Sequence, residues 1–316
     1  MRIGRLGRSG LKVSRVSLGA WLTYGASVKS DDAQRIMRHA IRSGINMIDT
    51  ADIYARGEAE RVIAPILKEF PRHHLVVATK CFWPMSDDPN DRGLSRKHIM
   101  ESIEGSLKRL EQEYVDIMYC HRFDDETPLE ETVRAMGDII RQGKALYWGT
   151  SCWTSSQLRD AHNVARHLGV PAPIVEQPCF NLLDRHVETD ILATTRELGM
   201  GVAPWSPLAG GVLTGKYNTG RPPGSRGAES AWLDRVLVPE TLKKVQAFCD
   251  LANDVGARPE ALALAWLLHH PGVDTVLIGA TRPDHIDKNI EALKIELEGP
   301  LFDRISSLFP AVHPTD

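Results

Sequence analysis

Four side chains of kinds that hold and move protons stand at the ends of three short apolar runs. Asp49 lies in Ile48-Asp49-Thr50-Ala51-Asp52, with Tyr54 just beyond; Lys80 ends Ala78-Thr79-Lys80, and His121 ends Tyr119-Cys120-His121. A buried lysine ammonium is costly alone, and pairing with Asp49 offsets that cost. A tyrosine hydroxyl, with an ordinary pKa of about 10, is a weak acid at neutral pH. A cation about 4 Å away interacts with a phenolate by roughly 4 kcal/mol at an effective dielectric of about 20. Since about 1.4 kcal/mol is one pKa unit, Lys80 is expected to lower Tyr54 by roughly two to three units, less what Asp49 cancels. His121 would orient a carbonyl oxygen or share the proton. Such a set suits protonation of an oxygen on which charge develops. Singly, each residue has a plainer reading: Lys80 as a structural ion pair, Tyr54 as packing, Asp49-Thr50 as a turn cap. Jointly, at three neighbouring strand ends, chemistry is favoured.

These residues meet only if the runs are strands of one sheet. Eight runs suit buried parallel strands: 16–19, 46–49, 75–80, 115–120, 145–149, 174–177, 201–205 and 275–279. Between them lie stretches of helical spacing, such as Ile99, Ile103, Leu107 and Leu110, then Leu129, Val133, Met136 and Ile140. The second of these carries a start signal: Thr127 as cap, Pro128 in the first helical position and Glu130 completing a capping box. Strands alternating with helices imply parallel β-α-β units, and eight such units imply an α/β fold of the (β/α)8 TIM-barrel type. A hairpin, 2–6 and 11–13 around Gly7-Arg8-Ser9-Gly10, precedes it. A long connection, 207–239, follows the seventh strand, and two extra helices are expected near 240–255 and 300–308. The whole chain, 1–316, reads as one domain. An open doubly wound sheet is the other architecture considered, but no strand leads into G-x-G-x-x-G.

Composition narrows the classes. With 38 Lys+Arg against 41 Asp+Glu in 316 residues, and no basic tract, neither a nucleic-acid nor a membrane-surface partner is expected. The five cysteines, Cys81, Cys120, Cys152, Cys179 and Cys249, form no C-x-x-C pair, which excludes a disulfide framework or zinc ribbon; no metal is expected. Cys81, Cys120, Cys152 and Cys179 all fall near the expected barrel mouth. The first sixteen residues carry no apolar signal segment, and the longest apolar run, 261–268, is far short of the roughly 20 residues that span a bilayer. A cytoplasmic protein is expected.

The remaining strand ends are equally distinctive: Gly149-Thr150-Ser151, Glu176-Gln177-Pro178, Trp205-Ser206-Pro207-Leu208-Ala209-Gly210-Gly211 and Gly279-Ala280-Thr281-Arg282. Together with Asp49-Thr50-Ala51-Asp52-Ile53-Tyr54, Thr79-Lys80 and Cys120-His121, all in order along nearly the whole chain, they resemble the aldo-keto reductases. The likeness is closest to the branch holding the potassium-channel β-subunits and their bacterial relatives. It implies NADP(H)-dependent reduction of an aldehyde or ketone, with Tyr54 as general acid, Lys80 and Asp49 tuning it and His121 positioning the carbonyl. It further implies that Ser151 and Gln177 hold the nicotinamide amide near Cys152, and that Trp205 stacks on the ring. Trp21 and Asp49 count with these cofactor contacts, and Trp21 and Trp83 could also line a substrate pocket. Ser206, Pro207, Leu208 and Gly210 would wrap the pyrophosphate with Lys216, Arg226 lying on the same loop. Gly279, Thr281, Arg282, His285 and Asn289 would meet the adenosine 2′-phosphate and adenine. Small residues and a helix N-terminus suit phosphate, and a guanidinium binds it in a planar fork.

Cys152 departs from the Asn or Arg of relatives, and His285 and Lys288 from Gln and Glu; Lys288 would either attract the 2′-phosphate or be solvated. His121 is kept where the channel subunits tend to have Asn, and their N-terminal extension is not seen. Both points favour an enzyme over a channel partner. Two other readings stay open: an NADP-binding regulatory subunit with little turnover, and a Schiff-base lyase using Lys80 as nucleophile. The resemblance leans towards a homo-oligomer.

Overall fold

A computed structural model of the chain describes residues 1–21 and 30–311. The chain opens on an antiparallel hairpin of β1 (Ile3–Arg5) and β2 (Lys12–Ser14), with Ile3 opposite Ser14. Eight further strands follow: β3 (Val16–Gly19), β4 (Met47–Asp49), β5 (Val76–Cys81) and β6 (Val115–Cys120). Then come β7 (Ala145–Thr150), β8 (Val175–Glu176), β9 (Gly201–Val202) and β10 (Val276–Ile278). They lie side by side in the order β10-β3-β4-β5-β6-β7-β8-β9, every pair parallel. The two ends meet. Val202 and Val273 form a parallel bridge, and the Leu277 amide donates to the Pro204 carbonyl at 2.9 Å.

Helices α1 (Ser30–Arg42), α2 (Glu58–Leu67), α3 (Arg96–Leu110), α4 (Leu129–Arg141), α5 (Ser155–Leu168) and α6 (Ile191–Leu198) separate the strands from β3 to β9. The connection after β9 holds a short α7 (Arg226–Glu229), then α8 (Pro239–Asp254) and α9 (Pro259–His269). After β10 come α10 (Pro283–Ile290) and α11 (Gly299–Leu308). The result is the (β/α)8 barrel with hairpin, α8 and α11 being the two additions. Among the described residues no helix is long and apolar enough to cross a membrane.

The foretold runs 174–177 and 201–205 give the two shortest of the eight strands, two residues each. Pro178 and Pro204 interrupt them, because proline has no N–H to donate to a ladder. Pairing resumes past each gap, the Trp205 amide donating to the Pro178 carbonyl at 2.9 Å.

Alternation along each strand sorts its side chains between two cores. Inward rows supply Met47, Val76, Ala78, Ile117, Tyr119, Val175, Ala203 and Leu277, which pack as one interior cluster with Leu6 and Val13 of the hairpin. The hairpin therefore plugs the floor of the barrel. Outward rows, including Ile48, Val77, Met118, Cys81 and Cys120, pack against the helices. Cys81 and Cys120 are thus sealed in the outer layer and do not open on the mouth, where only Cys152 and Cys179 are half-buried. Each inward apolar row, continued two residues further, delivers a polar group at the upper rim: Met47 leads to Asp49, Ala78 to Lys80, Tyr119 to His121 and Val175 to Gln177.

The start of α4 differs from the capping box foretold. Pro128 is itself the cap position with no side-chain bond, and the Thr127 hydroxyl donates to Asp124 at 2.8 Å. Asp124 also accepts from the Leu94 and Glu126 amides. A carboxylate is the stronger acceptor, so the threonine turns away from the helix.

Candidate active site

Lys80 is fully buried, and its ammonium places all three protons: on Asp49 Oδ1, on the Thr50 carbonyl at 2.8 Å and on the Tyr54 hydroxyl at 3.2 Å. The other Asp49 oxygen accepts from Gln177 Nε2 at 2.9 Å. Tyr54 begins a tight turn, Tyr54–Gly57, in which Ala55 and Arg56 both take left-handed backbone (φ 49° and 53°). That reversal sets the phenol over Lys80, whose Nζ is 4.9 Å from the ring centre. The Tyr54 ring meets His121 edge to face, centroids 5.7 Å apart, and Trp83 lies beyond His121 at 6.3 Å.

The electrostatics correct one expectation. Burial raises Tyr54 above its ordinary value; Lys80 pulls the other way, but Asp49 offsets part of that pull and burial wins. Lys80 is itself raised: burial opposes its charge, and Asp49 and Tyr54 together outweigh burial. His121 is held well below the usual imidazole range by burial, then by the charges of Lys80 and Arg122. The ring is therefore neutral at pH 7, and its buried Nδ1 has no hydrogen-bond partner among the described residues.

The residues foretold for a nicotinamide adjoin this set. The Ser151 hydroxyl donates to the Gln177 carbonyl at 2.8 Å, and the Trp205 indole N–H points at Cys152 Sγ at 3.4 Å. Cys152 takes a left-handed φ of 57°. Trp205 meets Trp21 edge to face at 5.7 Å, and Trp21 meets Trp232 in the same way at 5.5 Å. The Arg226 guanidinium sits against both, 5.6 Å from Trp21 and 5.9 Å from Trp232.

The segment from Ser206 onward is a tight turn in which the Ala209 and Gly211 amides donate to the Ser206 and Leu208 carbonyls, both at 2.9 Å. Ser206, Ala209, Gly210 and Gly211 all have positive φ, and the Ser206 hydroxyl is buried without a partner among the described residues. Lys216 arches over Gly211: a Cβ there would lie 2.8 Å from its Nζ. This Ser206 hydroxyl and the Lys216 ammonium are the groups here suited to an anion. Pro207 and Leu208 complete this turn, and Asn181 anchors it by donating to the Ser206 carbonyl at 3.1 Å.

The third group lies at the start of α10. Arg282 is tied to Asp284 at 3.0 Å, and Lys288 reaches the same carboxylate at 2.8 Å, so Lys288 is neither free nor simply solvated. The two cations hold Asp284 below the usual carboxylate range. Thr281 contacts His285 Nδ1 through its amide at 3.4 Å; burial, then Arg282, lowers that imidazole. Gly279 is exposed at the end of β10, and Asn289 is buried one turn beyond His285.

Three residues of this surface escaped the sequence reading. Arg122 directly follows His121, a signal that was available. Trp232 sits in a connection without periodicity, and Asn181 is one of many loop asparagines; neither carried a signal. Chemically, the arrangement offers a neutral phenol and a neutral imidazole over a charge-paired lysine, beside a phosphate-suited loop.

Comparison with known proteins agrees with this geometry. The family model described as "Aldo/keto reductase family" matches residues 15–309. A rice protein named "Probable voltage-gated potassium channel subunit beta" is 45% identical over 302 residues, covering 93% of this chain and 92% of that one. An Arabidopsis thaliana protein of the same name is 44% identical over the same length and coverage. With a barrel, a rim set and a sequence match that all coincide, the chain belongs to the aldo/keto reductase family.

Proposed function

We propose that this protein reduces a small aldehyde or ketone to an alcohol with NADPH. The observation that carries the reading is the shared network of Lys80, Asp49 and Tyr54 beside a neutral His121. A bound reduced nicotinamide supplies the hydride. Tyr54 donates its proton to the carbonyl oxygen, and Lys80 stabilises the phenolate left behind. His121 hydrogen-bonds the same oxygen and fixes its direction.

The residues present suit the dinucleotide. Ser151 and Gln177 would hold the amide, with Trp205, Trp21 and Cys152 walling the ring. Ser206 to Gly211 would bind the pyrophosphate, with Lys216 and Arg226 adding charge. Gly279, Thr281, Arg282, His285 and Asn289 would hold the adenosine end, where a 2′-phosphate would share Arg282 with Asp284. Lys80 is a poor candidate nucleophile, since its protons are engaged and its pKa is raised.

Fluorescence titration with NADPH and NADH is the first test. Binding of NADPH at least ten times tighter than NADH is expected; equal binding would remove Arg282 from 2′-phosphate recognition, and no binding would end the reading. Tyr54→Phe should lower kcat by at least about a hundredfold with NADPH affinity nearly unchanged. Unimpaired turnover in that variant would take Tyr54 out of the role. A second reading, a cofactor-binding regulatory subunit, rests on the names of the two plant relatives. Tight NADPH binding with no turnover across a broad carbonyl panel would favour it.

A further inference from the structure

We infer that Arg122 selects carbonyl substrates bearing a carboxylate, an assignment that rests on the reductase reading above. Arg122 lies two residues past the end of β6 and is half-buried at the mouth. Its Nη1 donates to the His121 carbonyl and lies 3.4 Å from Ser151 Oγ, and its guanidinium carbon is 5.7 Å from the centre of the Trp83 ring. None of these contacts is a carboxylate, and Nε and Nη2 have no hydrogen bond among the described residues.

The other cations of the mouth have work. Lys80 spends its three protons inside the site. Arg226 lies between Trp21 and Trp232, on the cofactor side. Glu176 feels the charge of Arg122 through space but forms no ion pair with it: it is fully buried and turned to the Thr150 hydroxyl and the Trp153 amide. Arg122 is therefore a half-buried cation that makes no ion pair among the described residues, on the side of the pocket walled by His121 and Trp83. A guanidinium in that state gains most from a planar anion that reaches two of its N–H groups at once. With the carbonyl oxygen at Tyr54 and His121, the remainder of a small substrate would extend along His121 and Trp83 towards Arg122. Trp83 would pack on its apolar middle.

The test compares acid and methyl-ester pairs of two lengths: 4-oxobutanoate with its ester, and 4-carboxybenzaldehyde with its ester. In the wild-type protein kcat/KM is expected to favour the acid at least tenfold in one pair or both. Arg122→Gln should shrink that ratio to within threefold, and Arg122→Lys should recover part of it. NADPH affinity, measured alongside, should change by less than threefold, which separates the effect from the Ser151 contact. A wild-type ratio near one in both pairs would overturn the assignment, as would equal loss on acid and ester in Arg122→Gln. Absence of all turnover would defeat the reductase reading instead. The carboxylate site is then judged by titrating 4-carboxybenzaldehyde and its ester into the protein–NADPH mixture: an Arg122-dependent preference for the acid sustains it, and equal affinity ends it.

Discussion

Tyr54 and His121 are neighbours whose pKa values are driven apart, the phenol upward and the imidazole downward. Both are therefore neutral through the physiological range. A general acid serves at full strength below its pKa and fails above it, so raising Tyr54 extends the working range upward. Lowering His121 extends the range in which the imidazole is uncharged downward. The expected result is a reductive kcat/KM that is flat from about pH 6 to about pH 9. A fall with an apparent pKa of about 7 to 8 would show that Lys80 does lower Tyr54, against the effect of burial.

At the scale of elements, the barrel rim is only as good as its floor. The β1–β2 hairpin packs Leu6 and Val13 into the interior cluster, and its turn fits tightly under β9. Gly7 has φ +56°, donates its amide to Asp274 at 2.6 Å, and would bring a Cβ within 2.5 Å of the Gly201 nitrogen. Both the left-handed backbone and the contact exclude a side chain. Gly7→Ala should cost about 2–4 kcal/mol, read as a lower urea midpoint at unchanged slope. An unaltered midpoint would mean that the hairpin does not seal the barrel. The long connection after β9 works differently. Its positive-φ residues and short turns carry site groups that no periodic pattern announces, and Trp232 enters the site from it.

Across the whole molecule, buried carboxylates make stability depend on pH. Glu176 is fully buried, and burial, opposed by hydrogen bonds from Thr150 and the backbone, raises it from 4.5 to about 7. Asp52 rises to about 7 by burial and then by the charge of Glu60. For a raised carboxyl, the folded state binds the proton more tightly than the unfolded one. The stabilisation is complete below about pH 4.5 and is lost as pH rises through about 7. For Glu176 the two and a half units correspond to roughly 3 kcal/mol. Glu176→Gln keeps an acceptor for Trp153 and a donor for Thr150 while removing the charge. Its thermal midpoint should exceed that of the wild type at pH 8 and converge with it at pH 5; parallel pH profiles would refute this account.

The amino-acid sequence by itself determined the eight strand runs, their alternation with helices, and the identities of Asp49, Tyr54, Lys80, His121, Gln177 and Trp205 at the rim. Those features are local: a buried parallel strand must be apolar on both faces, and its polar end is visible as the residue where that run stops. Only the tertiary structure decided the direction of the Tyr54 shift, the tie between Arg282, Lys288 and Asp284, and the turn of Thr127 towards Asp124. It alone brought Asn181 and Trp232 to the site. The physical reason is common to all of these. Burial and through-space charge depend on which distant segments meet, and spacing along one chain does not record that.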